Sequence, residues 1–167
     1  MAEQQRGRRA IEVGPTGKTV AANIARLRDR RGMTTRQLSG ELERAGRPIP
    51  ASGITRMEKG ERVVTADELA ALAVVLGVSP AALLLPLDDS GSTTVSVTGA
   101  GDVPADEAWA WASNERPLRI PEATDPRTVA LEYQLYGLPP GRNSKAIKIG
   151  GAWYARLGAA TEDGSDG

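Results

Sequence analysis

Four glycines limit what the front of this chain can build. Gly32, Gly46, Gly60 and Gly77 each follow a segment with helical apolar spacing, at the place where a helix is ended by a residue in the left-handed region. The segments between them have room for short helices only. Starting signals follow three of the four: Thr34 with Gln37 three residues on, Thr65 with Asp67 and Glu68, and Ser79 with Pro80.

The apolar residues fit this punctuation. Val20, Ile24 and Leu27 fall on one face of a helix predicted over residues 20–31 and capped by Thr19. Leu38, Leu42 and Ala45 mark a second, over residues 35–45. A third runs from about Ala51 to Lys59, after Arg47-Pro48-Ile49-Pro50, which cannot be helix interior. Leu69, Leu72, Ala73 and Leu76 face inward from a fourth, and residues 83–85 close the core from a fifth. The core is aliphatic, since no aromatic residue precedes Trp109. The third helix is thin, with Ile54 and Met57 as its only large apolar residues. A helix that buries so little has an outer face free to meet something else.

Charge is divided along the chain. The formal net charge is zero, yet residues 1–62 hold 14 Lys/Arg against 7 Asp/Glu, and residues 63–167 the reverse. A net of +7 in front points to an anionic partner, and −7 behind to a solvated or protein-facing half. The chain has no cysteine and no histidine, which removes disulfides, thiolate chemistry, Cys/His zinc sites and any histidine base. The cluster at Arg6, Arg8 and Arg9 leads into Ala10, Ile11 and then Glu12, not into the apolar core of a signal peptide. Residues 69–87 are apolar but for Ser79, but Gly77-Val78-Ser79-Pro80 splits them and acids flank both ends. They read as two buried helices, and no membrane partner is expected.

One motif is set aside. "EVGPTGKTV" looks like the end of a phosphate-binding loop, but Glu12 stands where that motif needs glycine and would repel phosphates. The paired acids Asp88-Asp89 and Asp106-Glu107 read as linker and helix-start residues. No catalytic constellation, metal site or cofactor is expected.

After Pro86 the signals weaken. Thr93 to Thr98 alternates around Val95 and Val97 as a strand would. Residues 106–112 suit a short helix carrying Trp109. Val129, Leu131, Tyr133 and Leu135 alternate like a strand, and residues 147–153 suit a hairpin. The organisation expected is a flexible basic arm (1–18), a helical domain (19–87), a linker (88–104), a small aromatic extension (105–157) and a disordered tail (158–167). Frequent prolines suggest that the tryptophans of the extension stay exposed.

"VAANIARLRDRRGMTTRQLSGEL" followed by "SGITRMEKGERVVTADELAALAVVLGVSPAALL" resembles the lambda-repressor-like helix-turn-helix family of Xre/Cro type, over about residues 19–86. The resemblance implies an all-α, five-helix domain, here followed by an extension of low or mixed structure. It also implies double-stranded DNA as partner, with the third helix in the major groove. By the family pattern Ala51, Ser52 and Arg56 meet base edges, and Thr55 a phosphate. Thr35 and Arg36 hold phosphates at the start of the second helix, and Lys59 and Arg62 lie beside the backbone past the third. Plainer roles remain open: Arg56 pairing with Glu58 or Glu43, Ser52 capping its own helix, and Thr55, Lys59 and Arg62 merely solvated. Gly53 is expected to pack closely on the second helix. Leu38 and Ile54 stand sixteen positions apart, about five more than in the family pattern. The turn is therefore a longer loop, from which Arg47 reaches for phosphate.

The expected function is sequence-specific DNA binding by a transcriptional regulator, a repressor, dimeric on DNA. An excess of arginine over lysine, 17 to 4, suggests a bacterial or phage genome, with the protein cytoplasmic and nucleoid-associated. The rival is an antitoxin-like or adaptor protein that binds a protein partner through residues 105–157.

Overall fold

The computed structural model describes residues 12–139, 147–149 and 152–154. Among them are seven helices and four short strands. The first five helices are α1 (Pro15–Arg30), α2 (Thr35–Arg44), α3 (Ala51–Glu58), α4 (Ala66–Val75) and α5 (Pro80–Leu84). Next come β1 (Thr94–Val97), β2 (Gly101–Pro104), α6 (Ala105–Ala112), α7 (Pro126–Gly137), β3 (Ile147–Ile149) and β4 (Ala152–Tyr154). The expectation of an all-α five-helix domain with an extension of low or mixed structure holds in part: the described residues are mostly helical, and two two-stranded sheets follow the first five helices in sequence. The chain divides into two compact units, one of Met1–Asp88 with Val95–Asp102, the other of Asp89–Thr94 with Val103–Gly167.

In the first unit α1 starts at Pro15, ahead of the expected start. Pro15 holds the first helical position, where its missing N–H costs nothing. Thr19, expected as the cap, is interior and donates its hydroxyl to the Pro15 carbonyl at 3.4 Å. Thr98 supplies the missing cap. Its hydroxyl accepts the Thr16 N–H at 3.4 Å, and its own N–H donates to the Thr16 hydroxyl at 2.8 Å. Gly17, Lys18 and Thr19 thus lie within a helix, not in a phosphate-binding loop. Residues 15–18 belong to this helix also, while residues 1–11 of the expected arm lie outside the described residues.

The four glycines act as read. Their φ angles lie between +60° and +78°. At each, the glycine N–H and the next N–H close on carbonyls of the last turn: Gly32 on Asp29 with Met33 on Arg28, Gly46 on Glu43 with Arg47 on Leu42, Gly60 on Met57 with Glu61 on Arg56, and Gly77 on Val74 with Val78 on Ala73. These are Schellman closures, which satisfy carbonyls that the helix leaves unpaired. Thr34 and Thr65 each form a full capping box, with Gln37 and Glu68. The Ser79 hydroxyl accepts the Ala82 N–H.

Ile24, Leu38, Leu42, Ile54, Met57, Leu72, Leu76 and Leu83 are fully buried and form the core. Each such side chain is worth about 1.5–3 kcal/mol on burial. Asn23 and Glu68 are buried as well, which the apolar pattern cannot show. Asn23 donates from Nδ2 to the carbonyls of Leu83 at 3.1 Å and Leu85 at 2.7 Å, and its Oδ1 accepts from Arg26. A side chain of α1 thereby closes the end of α5.

In the second unit α6 begins at Ala105, whose N–H donates to the Thr93 carbonyl at 2.8 Å. It ends at Asn114, φ +59°, in the same closure the glycines use. The alternation at 129–135 is overturned, because these residues are the helix α7. Asp125 caps it, accepting the Thr128 N–H at 3.3 Å, and Pro126 starts it. Val129 and Ala130 are buried with Tyr133 against them, a helical spacing, and Leu135 is exposed. Two of the prolines expected to disrupt structure instead start helices: Pro104 precedes α6 and Pro126 opens α7. Trp109 and Trp111 are half-buried, not exposed, and the Tyr133 hydroxyl donates to the Trp111 carbonyl at 3.3 Å.

The strand expected around Val95 and Val97 is β1, with both valines buried. β1 pairs with β2 inside the stretch read as linker. β3 and β4 form the expected antiparallel hairpin, with Ile147 opposite Tyr154 and Ile149 opposite Ala152. The tail from residue 158 lies outside the described residues. No helix among the described residues is long and apolar enough to cross a membrane.

Candidate nucleic-acid interface

The segment before α3 is longer than the family turn, yet it is pinned in place. Ile49 is 2 % exposed and belongs to the core. Ser39 of α2 donates its hydroxyl to the Ile49 carbonyl at 2.6 Å. Pro50 sets the helix start with φ −65°. Gly53 is crowded by this loop and not by α2 as expected: a Cβ there would meet Ile49 Cγ2 at 3.3 Å and Pro50 Cγ at 3.4 Å.

Helix geometry then sorts α3. Ile54 and Met57 are fully buried. At about 100° per residue, Ser52, Thr55, Arg56 and Lys59 lie within roughly 50° of the direction opposite to them. Ser52, Arg56 and Lys59 are exposed, and Ala51 and Thr55 are half-buried. Thr55 returns its hydroxyl to the Ala51 carbonyl at 3.0 Å. Ser52 does not cap α3, whose N-cap is Pro50 with no side-chain cap bond.

The ion pairs decide which cations remain available. Arg28 at the end of α1 holds Glu58 through Nε at 2.6 Å and Nη2 at 3.1 Å, with side chains 15 % and 11 % exposed. It also donates to Asp29 and to the Met33 carbonyl. The hydrogen bond to Glu58 raises the Arg28 pKa above its ordinary value, despite the opposing effect of burial. Arg44 pairs with Glu41. Arg62 pairs with the buried Glu68, and its Nη1 is buried without a hydrogen-bond partner among the described residues. Burial pushes the Glu68 carboxyl up, but the Thr65 N–H and Arg62 outweigh it and hold the pKa below its ordinary value.

The sequence candidates therefore divide. Ser52, Thr55, Arg56 and Lys59 share the outer face of α3, with Ala51 at its edge. Thr35 and Arg36 open α2, Arg36 exposed. Arg47 stands on the pinned loop, half-buried. Arg62 is tied to Glu68, so its charge is already matched. Arg36, Arg47, Arg56 and Lys59 form no ion pair among the described residues. Sequence reasoning missed the supports: Ser39 under the loop and Arg28 behind Glu58. No periodic signal links residues that far apart in the chain.

A short helix packed against a second one, anchored inward by Ile54 and Met57 and carrying exposed Arg56 and Lys59 outward, is the arrangement of a helix-turn-helix domain. Residues 20–85 match the family model described as a helix-turn-helix domain. That match covers the same stretch as the resemblance to the lambda-repressor-like, Xre/Cro-type family. No curated protein and no solved structure matches the chain.

Proposed function

We propose that this chain is a sequence-specific transcriptional regulator, a repressor, that places α3 in the major groove of double-stranded DNA. The observation that carries this reading is the outer face of α3. Arg56 and Lys59 stand there without an ion pair among the described residues, while the one carboxylate of the helix, Glu58, is held by Arg28. A major groove admits an α-helix, and an arginine there donates two hydrogen bonds to guanine O6 and N7. Ser52 and Ala51 sit beside it, small enough for close approach. Thr35, Arg36, Arg47, Thr55 and Lys59 are in reach of the backbone, where contacts orient the protein without reading sequence. Arg62 acts at one remove, by fixing the start of α4 through Glu68.

The test is selection of bound duplexes from a random pool by the full-length protein. A recurrent sequence, lost with Arg56→Ala, is expected. Retention of all sequences equally, or of none, overturns the reading.

A second reading is favoured by one observation. Near the end of α7, Leu135 is 57 % and Tyr136 84 % exposed. Such side chains suit a second copy or another protein, as in an antitoxin-like adaptor. Sedimentation of the wild type and of the double variant Leu135→Ser, Tyr136→Ser discriminates. A dimer that the variant splits assigns the surface to self-association; a monomer in both cases leaves it to another protein.

A further inference from the structure

We infer that the second unit holds a binding cleft for an elongated organic cation of the alkyl-diamine class, walled by Trp109 and three carboxylates. The inference goes beyond the DNA reading and does not depend on α3. A cleft of about 310 Å³ is lined by Asp89, Asp106, Trp109, Ala110, Ser113 and Glu115. Small-ligand clefts begin at about that size. All six residues belong to the second unit. Asp106, Trp109, Ala110 and Ser113 follow one another at i, i+3, i+4 and i+7, a single stripe of α6 and its C-cap. Glu115 is brought beside the stripe by the turn at Asn114, where its own N–H donates to the Ala110 carbonyl at 2.8 Å. Asp89 comes from the segment before β1. Gly91 lets that segment approach, since a Cβ there would meet the Asp106 carboxylate at 3.2 Å. Two acids that the sequence presents as linker and helix start thus border one space.

No cation lines the cleft. Asp89, Asp106 and Glu115 form no ion pair among the described residues, whereas Glu107, the neighbour of Asp106, holds Arg116 at 3.4 Å. Three uncompensated carboxylates around one space repel one another, and a bound cation relieves that repulsion. A single metal ion is not the match, because no three acidic side chains among the described residues stand close enough to share one. The charges are spread along the cleft, so a cation of some length meets more than one of them. The apolar part has its place too. Trp109 and Ala110 are half-buried while the polar residues are exposed, so the indole and the alanine methyl form the inner wall and the carboxylates the rim. An alkyl chain lies along that wall with its ammonium ends at the carboxylates, and an ammonium over an indole face gains cation–π attraction.

The experiment is isothermal titration calorimetry of the full-length protein with putrescine, at about 0.15 M NaCl, where the Debye length of about 8 Å screens diffuse attraction. Saturable one-to-one binding is expected, and none for butanediol, the uncharged counterpart. The double variant Asp89→Asn, Glu115→Gln should weaken binding about tenfold or more. Trp109→Leu should weaken it about fivefold. Glu132→Gln, which removes an exposed acid of α7 outside the cleft, should leave it unchanged. Circular dichroism checks each variant for folding, and the double variant, whose residues lie outside α6, decides the matter if Trp109→Leu does not fold. No saturable binding, undiminished binding in the double variant, or displacement by an equal concentration of MgCl2 overturns the cleft. Selection of duplexes by α3 is measured without the diamine, so failure of one reading is distinguishable from failure of the other.

Discussion

The guanidinium of Arg28 holds both carboxylate oxygens of Glu58, and Arg56, two residues earlier, is left with no carboxylate among the described residues. The pair fastens the end of α3 to the end of α1 and keeps the nearest acid away from the outer face. Removing Arg28 leaves a mostly buried carboxylate unpaired. Arg28→Ala should lower stability by about 2–4 kcal/mol, a discounted figure because the pair is not fully enclosed. A urea midpoint that stays put in this variant would show that the pair holds nothing.

Specificity and affinity should separate on α3. Arg56→Ala should bring the affinity for a selected duplex down toward that for random DNA, a loss of about 1–3 kcal/mol on the former only. Lys59→Ala should weaken both alike. Competition titrations with the two duplexes give the answer, and an equal loss on both from Arg56→Ala removes that residue from base reading.

Asn23 joins α1 to α5 by donating to the carbonyls of Leu83 and Leu85. Asn23→Ala leaves the carbonyls of Leu83 and Leu85 short of a donor and should cost about 1–3 kcal/mol. Thermal unfolding measures it, and an unchanged midpoint would mean that water replaces the amide at no cost.

Two glycines should respond with opposite sign. Gly32 has φ +63°, and nothing lies within 4 Å of an added Cβ, so the cost of Gly32→Ala is conformational alone, about 1–2 kcal/mol. Gly40 lies within α2, and an added Cβ there is equally unobstructed. Gly40→Ala should therefore stabilise by about 1 kcal/mol. Chemical denaturation of the two variants decides, and the same sign in both would refute the argument.

Glu68 makes stability depend on pH. Its carboxyl is held below the ordinary 4.5 in the folded protein, so its contribution is fully present above that value and is lost as pH falls through the lower, folded pKa. Stability measured downward from about pH 5 should fall more steeply in the wild type than in Glu68→Gln. Parallel curves would show that Glu68 is not linked to folding.

The front unit was legible because its signals are local. A glycine stop, a threonine box and an i, i+4 apolar row each act within one helix, and α2 to α5 follow them within a residue or two. The start of α1 was not, because its cap is Thr98, more than eighty residues away. The same reason hid Asn23, Ser39 and the Arg28–Glu58 pair. The outer face of α3 followed from Ile54 and Met57, whereas the engagement of Arg62 with Glu68 did not, since charge alone does not say which cation is already matched. In α7 a period of two was read where Asp125 and Pro126 had already announced a helix; four alternating residues are too few to outweigh a cap and a proline together.

Ser52, Arg56 and Lys59 project from α3 without a role in holding it, since the helix is fixed by Ile54, Met57, Gly53 and Glu58 from the other side. Exchange of these three side chains meets no folding penalty of its own. Whatever surface α3 engages, replacing these side chains retargets it without touching the glycine stops or the buried anchors that the fold needs. Recognition and architecture thus occupy opposite faces of one short helix and its C-cap.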